Sequence, residues 1–115
     1  QALINVLNNA KDAIGSQKTK VYGVVCIECK KDENCAVITI KDSGGGIETA
    51  NLRKIFEPYF STKNKTQGAG IGLYMTKQII ESSFDGVIEA SNEEFEADGV
   101  IQKGASFTIR LPLMG

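Results

Sequence analysis

Three glycines at alternate positions, Gly68, Gly70 and Gly72, stand directly before an apolar helical pattern in "QGAGIGLYMTKQII", residues 67–80. Few features constrain a fold more, because side chains are given up at the very point where a helix begins. A helix N-terminus presents free backbone N–H groups, and glycine lets an anion come close to them. The same glycines also suit a loop that needs positive φ, or tight packing of a helix on a sheet. Spacing removes two familiar phosphate loops. No G-x-x-x-x-G-K-[ST] occurs, and no G-x-G-x-x-G opens a βαβ unit near the N-terminus.

The rest of the chain divides around this juncture. "QALINVLNNAKDAI" reads as a helix with Gln1, Asn5, Asn8, Asn9 and Asp12 on one face and Leu3, Val6, Leu7, Ala10, Ala13 and Ile14 on the other. Residues 21–30 and 35–41 read as strands, with "KDEN" as the hairpin turn between them. "KDSGGGI" ends the second strand. "ETANLRKIF" reads as a short helix with Ile47, Leu52, Ile55 and Phe56 at helical spacing, and "EPYFSTKNKTQGAG" as an irregular loop. The helix that follows carries Leu73, Thr76, Ile79 and Ile80 on one face. "GVIEAS" and "ASFTIRLPL" close the chain as strands, separated by an acidic excursion or long hairpin, "NEEFEADGVIQKG". Helices and strands mix without strict alternation, which predicts one sheet with helices on one face.

Length and composition narrow the class. A chain of 115 residues fits one domain, 1–115, with one core. A net charge of −1 gives no electrostatic case for nucleic-acid binding. No apolar run approaches the ~20 residues of a membrane span, and no signal peptide is visible. Gln1 already lies inside a helical pattern, so the domain is expected to be truncated at its N-terminus. Three cysteines, Cys26, Cys29 and Cys35, fit a reducing compartment better than a disulfide framework. "CIEC" sits in a strand-like run, where positions three apart point to opposite faces, so one metal would not meet both thiols. Histidine is absent.

Three groups of residues carry candidate chemistry. An asparagine-bearing helix face offers hard amide oxygens suited to magnesium, or it is a plain solvated face. Asp42 follows a buried-looking strand and precedes three glycines. A carboxylate there can accept from the exocyclic amine of adenine and would repel the carbonyl of guanine; alternatively it merely starts a turn. In "IFEPYFSTK", Phe56, Tyr59 and Phe60 bracket a proline. They either fill a small satellite core or anchor a lid with Lys63 available to phosphate.

Taken in order, "NVLNNAKDAI", "DSGGGI", "IFEPYFSTK", "GAGIGL" and "GASFTIRLPL" resemble the N box, first glycine box, F box, second glycine box and closing strands of the ATP-binding catalytic domain of sensor histidine kinases. That domain belongs to a superfamily shared with DNA gyrase, MutL and heat-shock chaperone ATPases. The resemblance spans nearly the whole chain. It implies a two-layer α/β sandwich of the Bergerat type, with a mixed, mostly antiparallel sheet and three main helices on one face. It further implies that Asn9 binds magnesium, supported by Asn5, that Asp42 reads the adenine amine, and that Gly44 and Gly46 make room for the ring. Residues 61–70 become a mobile ATP lid, and Gly68, Gly70 and Gly72 bring N–H groups to the phosphates. Asp12, Ile47, Phe56, Phe60, Lys63, Ile71, Leu73 and Ser106 join the nucleotide-binding candidates on the same ground.

The expected reaction is transfer of the γ-phosphoryl of Mg-ATP to a histidine, followed by signalling through a response regulator. With no histidine of its own, the chain needs an acceptor on a separate dimerisation domain, expected upstream of Gln1 together with the family's first strand. The resemblance also implies a cytoplasmic domain without direct membrane contact, even where the parent is membrane-anchored. Departures keep other readings open. Asn5 stands where ATP-hydrolysing relatives carry a glutamate base, and an amide is a poor base, so rapid hydrolysis of the gyrase or chaperone kind is not expected. Asp12 stands where many histidine kinases carry a lysine, with Lys11 or Lys63 as possible substitutes. That leaves a degenerate or regulatory nucleotide-binding module as an alternative, beside a serine kinase of the anti-sigma-factor type. Residues 92–103 have no assigned role.

Overall fold

The computed structural model describes residues 2–15, 23–58 and 72–113, with only the backbone described for Ala2, Asn9, Asp12, Ala13 and Gly15. Helix α1 runs Ala2–Gly15 and helix α2 runs Gly72–Phe84. Four strands follow the order β1 Val25–Asp32, β2 Cys35–Asp42, β3 Val87–Ala97 and β4 Val100–Pro112. They form one sheet in the order β1-β2-β4-β3, antiparallel at every pairing.

The alternation of β-branched and aromatic residues decides which face is buried. On β4, Ala105, Phe107 and Ile109 are buried; on β2, Ile40, and on β3, Ile88. Side chains two apart share a face, so these form one apolar surface. Val6 of α1 and Ile80 of α2 pack on it, as the helical periodicity predicts. Phe107 is fully buried at the centre, with the Phe56 ring 6.2 Å away and at 89° to it. The edge-to-face arrangement suits the aromatic quadrupole. By the same alternation the opposite face carries Glu28, Lys41, Thr108 and Arg110. There Lys41 pairs with Glu28 at 3.8 Å and with Glu93 at 3.4 Å. The result is the expected two-layer sandwich.

Three features differ from the sequence reading. The expected helix "ETANLRKIF" takes the form of two 3-10 turns, Thr49–Asn51 and Lys54–Phe56. The residue before each turn makes no side-chain cap, and a segment this short cannot hold a helix by propensity alone. Its apolar residues still reach inward: Phe56 is buried, and Ile47 and Ile55 pack on the core. Leu3, on the predicted apolar side of α1, is 44% exposed and lines an open apolar groove with Ile79 and Phe84. The first hairpin turns at Glu33–Asn34 within "KDEN", so β1 starts later and ends later than its expected 21–30.

The acidic segment is a long hairpin. β3 and β4 pair from Val87↔Arg110 to Ala97↔Val100 around Asp98-Gly99, both at positive φ (52° and 78°). That is the backbone of a type I′ turn, for which Asp-Gly is a favoured pair. β2 stops pairing with β4 at Lys41↔Ser106. From Asn92↔Ala105 outward, the hairpin continues past the end of β2 as a two-stranded arm.

Candidate nucleotide site

Asp42 is the last residue of β2 and is 1% exposed. A buried carboxylate needs hydrogen-bond donors, since leaving it without them costs several kcal/mol, on the order of 3–5. Backbone supplies them. The N–H of Gly44 donates to Oδ1 at 2.9 Å, and the N–H of Ala105 donates to the same oxygen at 3.3 Å. The acid is thus held from one side by the glycine loop and from the other by the central strand. A Cβ at Gly104 would lie 1.6 Å from the Asp42 carbonyl oxygen and 2.8 Å from Oδ1. Only glycine fits there, and this is why β4 carries Gly104 just before its buried run from Ala105.

Ser43 fixes the start of the loop. Its N–H donates to Val24 O at 3.0 Å, and its hydroxyl accepts from Val24 N at 2.8 Å. Beyond it the chain turns through Gly45 (φ 91°) and Gly46 (φ 95°), a region that favours glycine. Gly45 N donates to Lys103 O at 3.1 Å. Ile47 is held by Asn92: its N–H donates to Oδ1 at 2.7 Å, and its carbonyl accepts from Nδ2 at 2.6 Å. Gly46 leaves space filled by Asn92, whose Oδ1 lies 2.8 Å from where a Cβ would sit.

The two helices meet near the same end. Asn5 Nδ2 donates to Gly72 O at 3.2 Å, and Thr76 Oγ1 donates to that carbonyl at 2.9 Å. Gly72 therefore faces α1 and the side chain of Asn5, whereas Leu73 packs on the core.

The structure unites some predicted residues and separates others. Asp42, Gly44, Gly46 and Ile47 form one loop, and Asn5 meets Gly72. Phe56 is a core residue against Phe107, with Lys77 Nζ 5.6 Å from its ring centroid. Ser106 is buried on β4 opposite Lys41, whereas Asp42 lies one position on and on the other face of the sheet. The side chains of Asn9 and Asp12, and all of Tyr59, Phe60, Lys63, Gly68, Gly70 and Ile71, lie outside the described residues. So does the predicted lid, 61–70. Among the described residues no cluster of three or more acidic or thiol side chains could hold a metal. The sequence reading missed Asn92 and the roles of Ser43 and Gly104. Ser43 and Gly104 stand inside quoted motifs, but Asn92 carries no local signal.

Family comparison matches residues 1–115 to the model described as histidine kinase-, DNA gyrase B- and HSP90-like ATPase. The chain belongs to that ATPase family. Among its relatives, the sensor histidine kinase ZraS of Salmonella typhimurium is 39% identical over 115 residues, which is 99% of this chain and 22% of that protein. The two-component sensor PprA of Pseudomonas aeruginosa is 33% identical over 98% of this chain and 12% of its own length. Sporulation kinase B of Bacillus subtilis is 35% identical over 97% of this chain and 23% of its own. The chain thus spans less than a quarter of these relatives. The nucleotide-free catalytic domain of histidine kinase ThkA superposes with a TM-score of 0.73 at 29% identity, covering 97% of this chain and 64% of that one. These sensor kinase relatives and the ThkA catalytic domain agree with the resemblance read from the five motifs. No helix among the described residues is long and apolar enough to cross a membrane.

Proposed function

We propose that this domain binds Mg-ATP with adenine against Asp42 and donates the γ-phosphoryl to a histidine on a separate dimerisation domain. The observation that carries the reading is the Asp42 seat: a buried carboxylate fixed by Gly44 and Ala105 beside a glycine-built loop. An oriented acceptor of this kind suits an exocyclic amine and disfavours the guanine carbonyl. Gly44, whose N–H holds the acid, leaves the loop without a side chain where a flat base would approach.

The phosphates fall to the α2 end. Gly68, Gly70 and Gly72 would bring backbone N–H groups to them, and Lys63 would add charge. The donor chemistry of α1 fits magnesium, because asparagine oxygens are hard neutral ligands and the cation accepts one or two of them beside phosphate and water. Asn9 would hold it, on a helix whose register against α2 is fixed by the Asn5–Gly72 bond. The ion, when held there, would supply charge neutralisation to the phosphates. In the transfer, an imidazole nitrogen lone pair attacks the γ-phosphorus, the bond to the β–γ bridging oxygen breaks, and ADP leaves with that electron pair. The imidazole proton passes to a carboxylate on the acceptor domain. The chain contributes positioning and preorganised donors. Asn5 supports transfer over hydrolysis, since it is a neutral amide donating to Gly72 and has no basic lone pair for activating water. The phosphate then moves to a response regulator.

The test pairs calorimetric titration of ADP, with and without magnesium, with phosphate transfer to an added acceptor domain. Asp42→Asn keeps an oxygen for Gly44 and Ala105 but turns an amine toward adenine. The expected outcome is magnesium-strengthened binding of ADP over GDP, at least about tenfold weaker in the variant, and transfer only when acceptor is present. ADP and GDP binding equally would overturn the base assignment. Steady ATP turnover without acceptor would overturn the transfer reading.

A further inference from the structure

We propose that Asn92 is a positioning residue for the nucleotide site, its side-chain amide latching the loop Gly44–Ile47 in the shape that receives the base. The inference rests on the reading of Asp42 and its loop as the adenine seat.

Both ends of the amide are used on one residue. Oδ1 accepts from Ile47 N at 2.7 Å, and Nδ2 donates to Ile47 O at 2.6 Å. Two parallel bonds to one backbone unit fix its orientation as well as its distance, in the manner of a strand pairing. The loop needs such a hold. Gly45 and Gly46 both sit at positive φ, and glycine loses more conformational freedom on ordering than any other residue. A third bond, Gly45 N to Lys103 O, ties the same loop to the facing strand of the hairpin.

The latch is also wired to the acid. Asn92 pairs with Ala105 across the hairpin, and Ala105 N donates to Asp42 Oδ1. One rung of the β3–β4 ladder therefore holds both Asp42 and the far end of the loop. Gly46 acquires a reason of its own, since a side chain there would collide with Asn92 Oδ1 before it met any ligand. The long hairpin thus has a use at its base: it supplies a strand beyond β2 from which Asn92 can reach the loop.

Removing the latch leaves every fold contact of the core in place and lowers the fraction of molecules whose loop is ready for the base, which weakens apparent affinity by that fraction. The experiment uses the 115-residue chain, with Asn92→Ala, Asn92→Asp and Asp42→Asn beside the parent. Amide NMR reads hydrogen exchange at Ile47 and titrations with Mg-ADP and with adenosine. Because Asn92 is exposed, the two Asn92 variants keep the parent's unfolding midpoint to within a few degrees. Expected for Asn92→Ala are faster exchange at Ile47 and about tenfold weaker binding, by the same factor for ADP and adenosine. Asn92→Asp lies between, since it keeps the acceptor for Ile47 N and sets a second oxygen against Ile47 O.

Unchanged affinity in a folded Asn92→Ala chain overturns the proposal, and so does a loss seen with ADP but absent with adenosine, which belongs to the phosphates. If the parent binds neither ligand, the adenine reading of Asp42 fails by itself. Exchange at Ile47 then decides whether Asn92 holds the loop, and unchanged exchange overturns the latch.

Discussion

Gly104 and Gly99 occupy the same hairpin for opposite reasons. At Gly104 the missing side chain is a matter of space, since a Cβ would meet the backbone oxygen of Asp42 at 1.6 Å. At Gly99 nothing lies within 4 Å, and only the φ of 78° favours glycine. Gly104→Ala must push two strands apart and is expected to cost about 3 kcal/mol, read by urea unfolding, and to remove ADP binding with it. Gly99→Ala is expected to cost about 1 kcal/mol by the same measurement and to leave ADP binding unchanged. Asp42 was legible in the sequence because everything that singles it out is local: a buried strand before it and glycines after it. Gly104 and Asn92 were not, because their reasons lie across the sheet, against residues far away in the chain. The face that Ser106 takes was not legible for a related cause. A motif gives the order of residues, whereas the face each one takes depends on which neighbour of Ser106 packs inward, and Phe107 settles that.

Between elements, the joint that matters is the one from α1 to the start of α2. Asn5 reaches Gly72 across it, and Thr76 backs the same carbonyl from within α2. Asn5→Ala removes one partly buried bond. It is expected to lower stability by about 1 kcal/mol, seen as a drop in thermal midpoint, while Asp42 stays seated. Phe56→Ala should cost more, about 3–5 kcal/mol, because it opens a hole against Phe107 in the centre of the core. Guanidinium unfolding separates the two. The amphipathic helices could be read from their period, and the strands from their β-branched runs. The 3-10 turns could not be read so. The apolar spacing of Ile47, Leu52, Ile55 and Phe56 fits a helix, and burial of that spacing survives, yet the backbone between Asn51 and Lys54 breaks. Periodicity reports which side chains go inward more faithfully than it reports how the backbone brings them there.

At the scale of the whole molecule, charge decorates one side of the sheet and holds little of it together. Lys41 bridges Glu28 and Glu93, and Arg110 meets Asp32 at 3.6 Å, between side chains in reach of water. Such pairs contribute about 1 kcal/mol or less each. Raising sodium chloride to about 1 M, where charges more than ~3 Å apart are screened, is expected to shift the unfolding free energy by no more than about 1 kcal/mol, whereas truncation at Phe107 would be severe. Fold class and layer order were legible because the buried face is written in one alternating register. The hairpin's reach past β2 was visible as length alone, with its purpose hidden in a contact.

The seat of Asp42 also has a direction in time. Its strand, β2, leaves the ribosome before Ala105 and Gly104, which complete the seat from β4. A nascent chain that has reached Val100 carries the acid without its cradle. If Asp42 is the adenine seat proposed above, competence to take up nucleotide arrives with β4, and a chain broken off before it is expected to bind no ADP in the same titration.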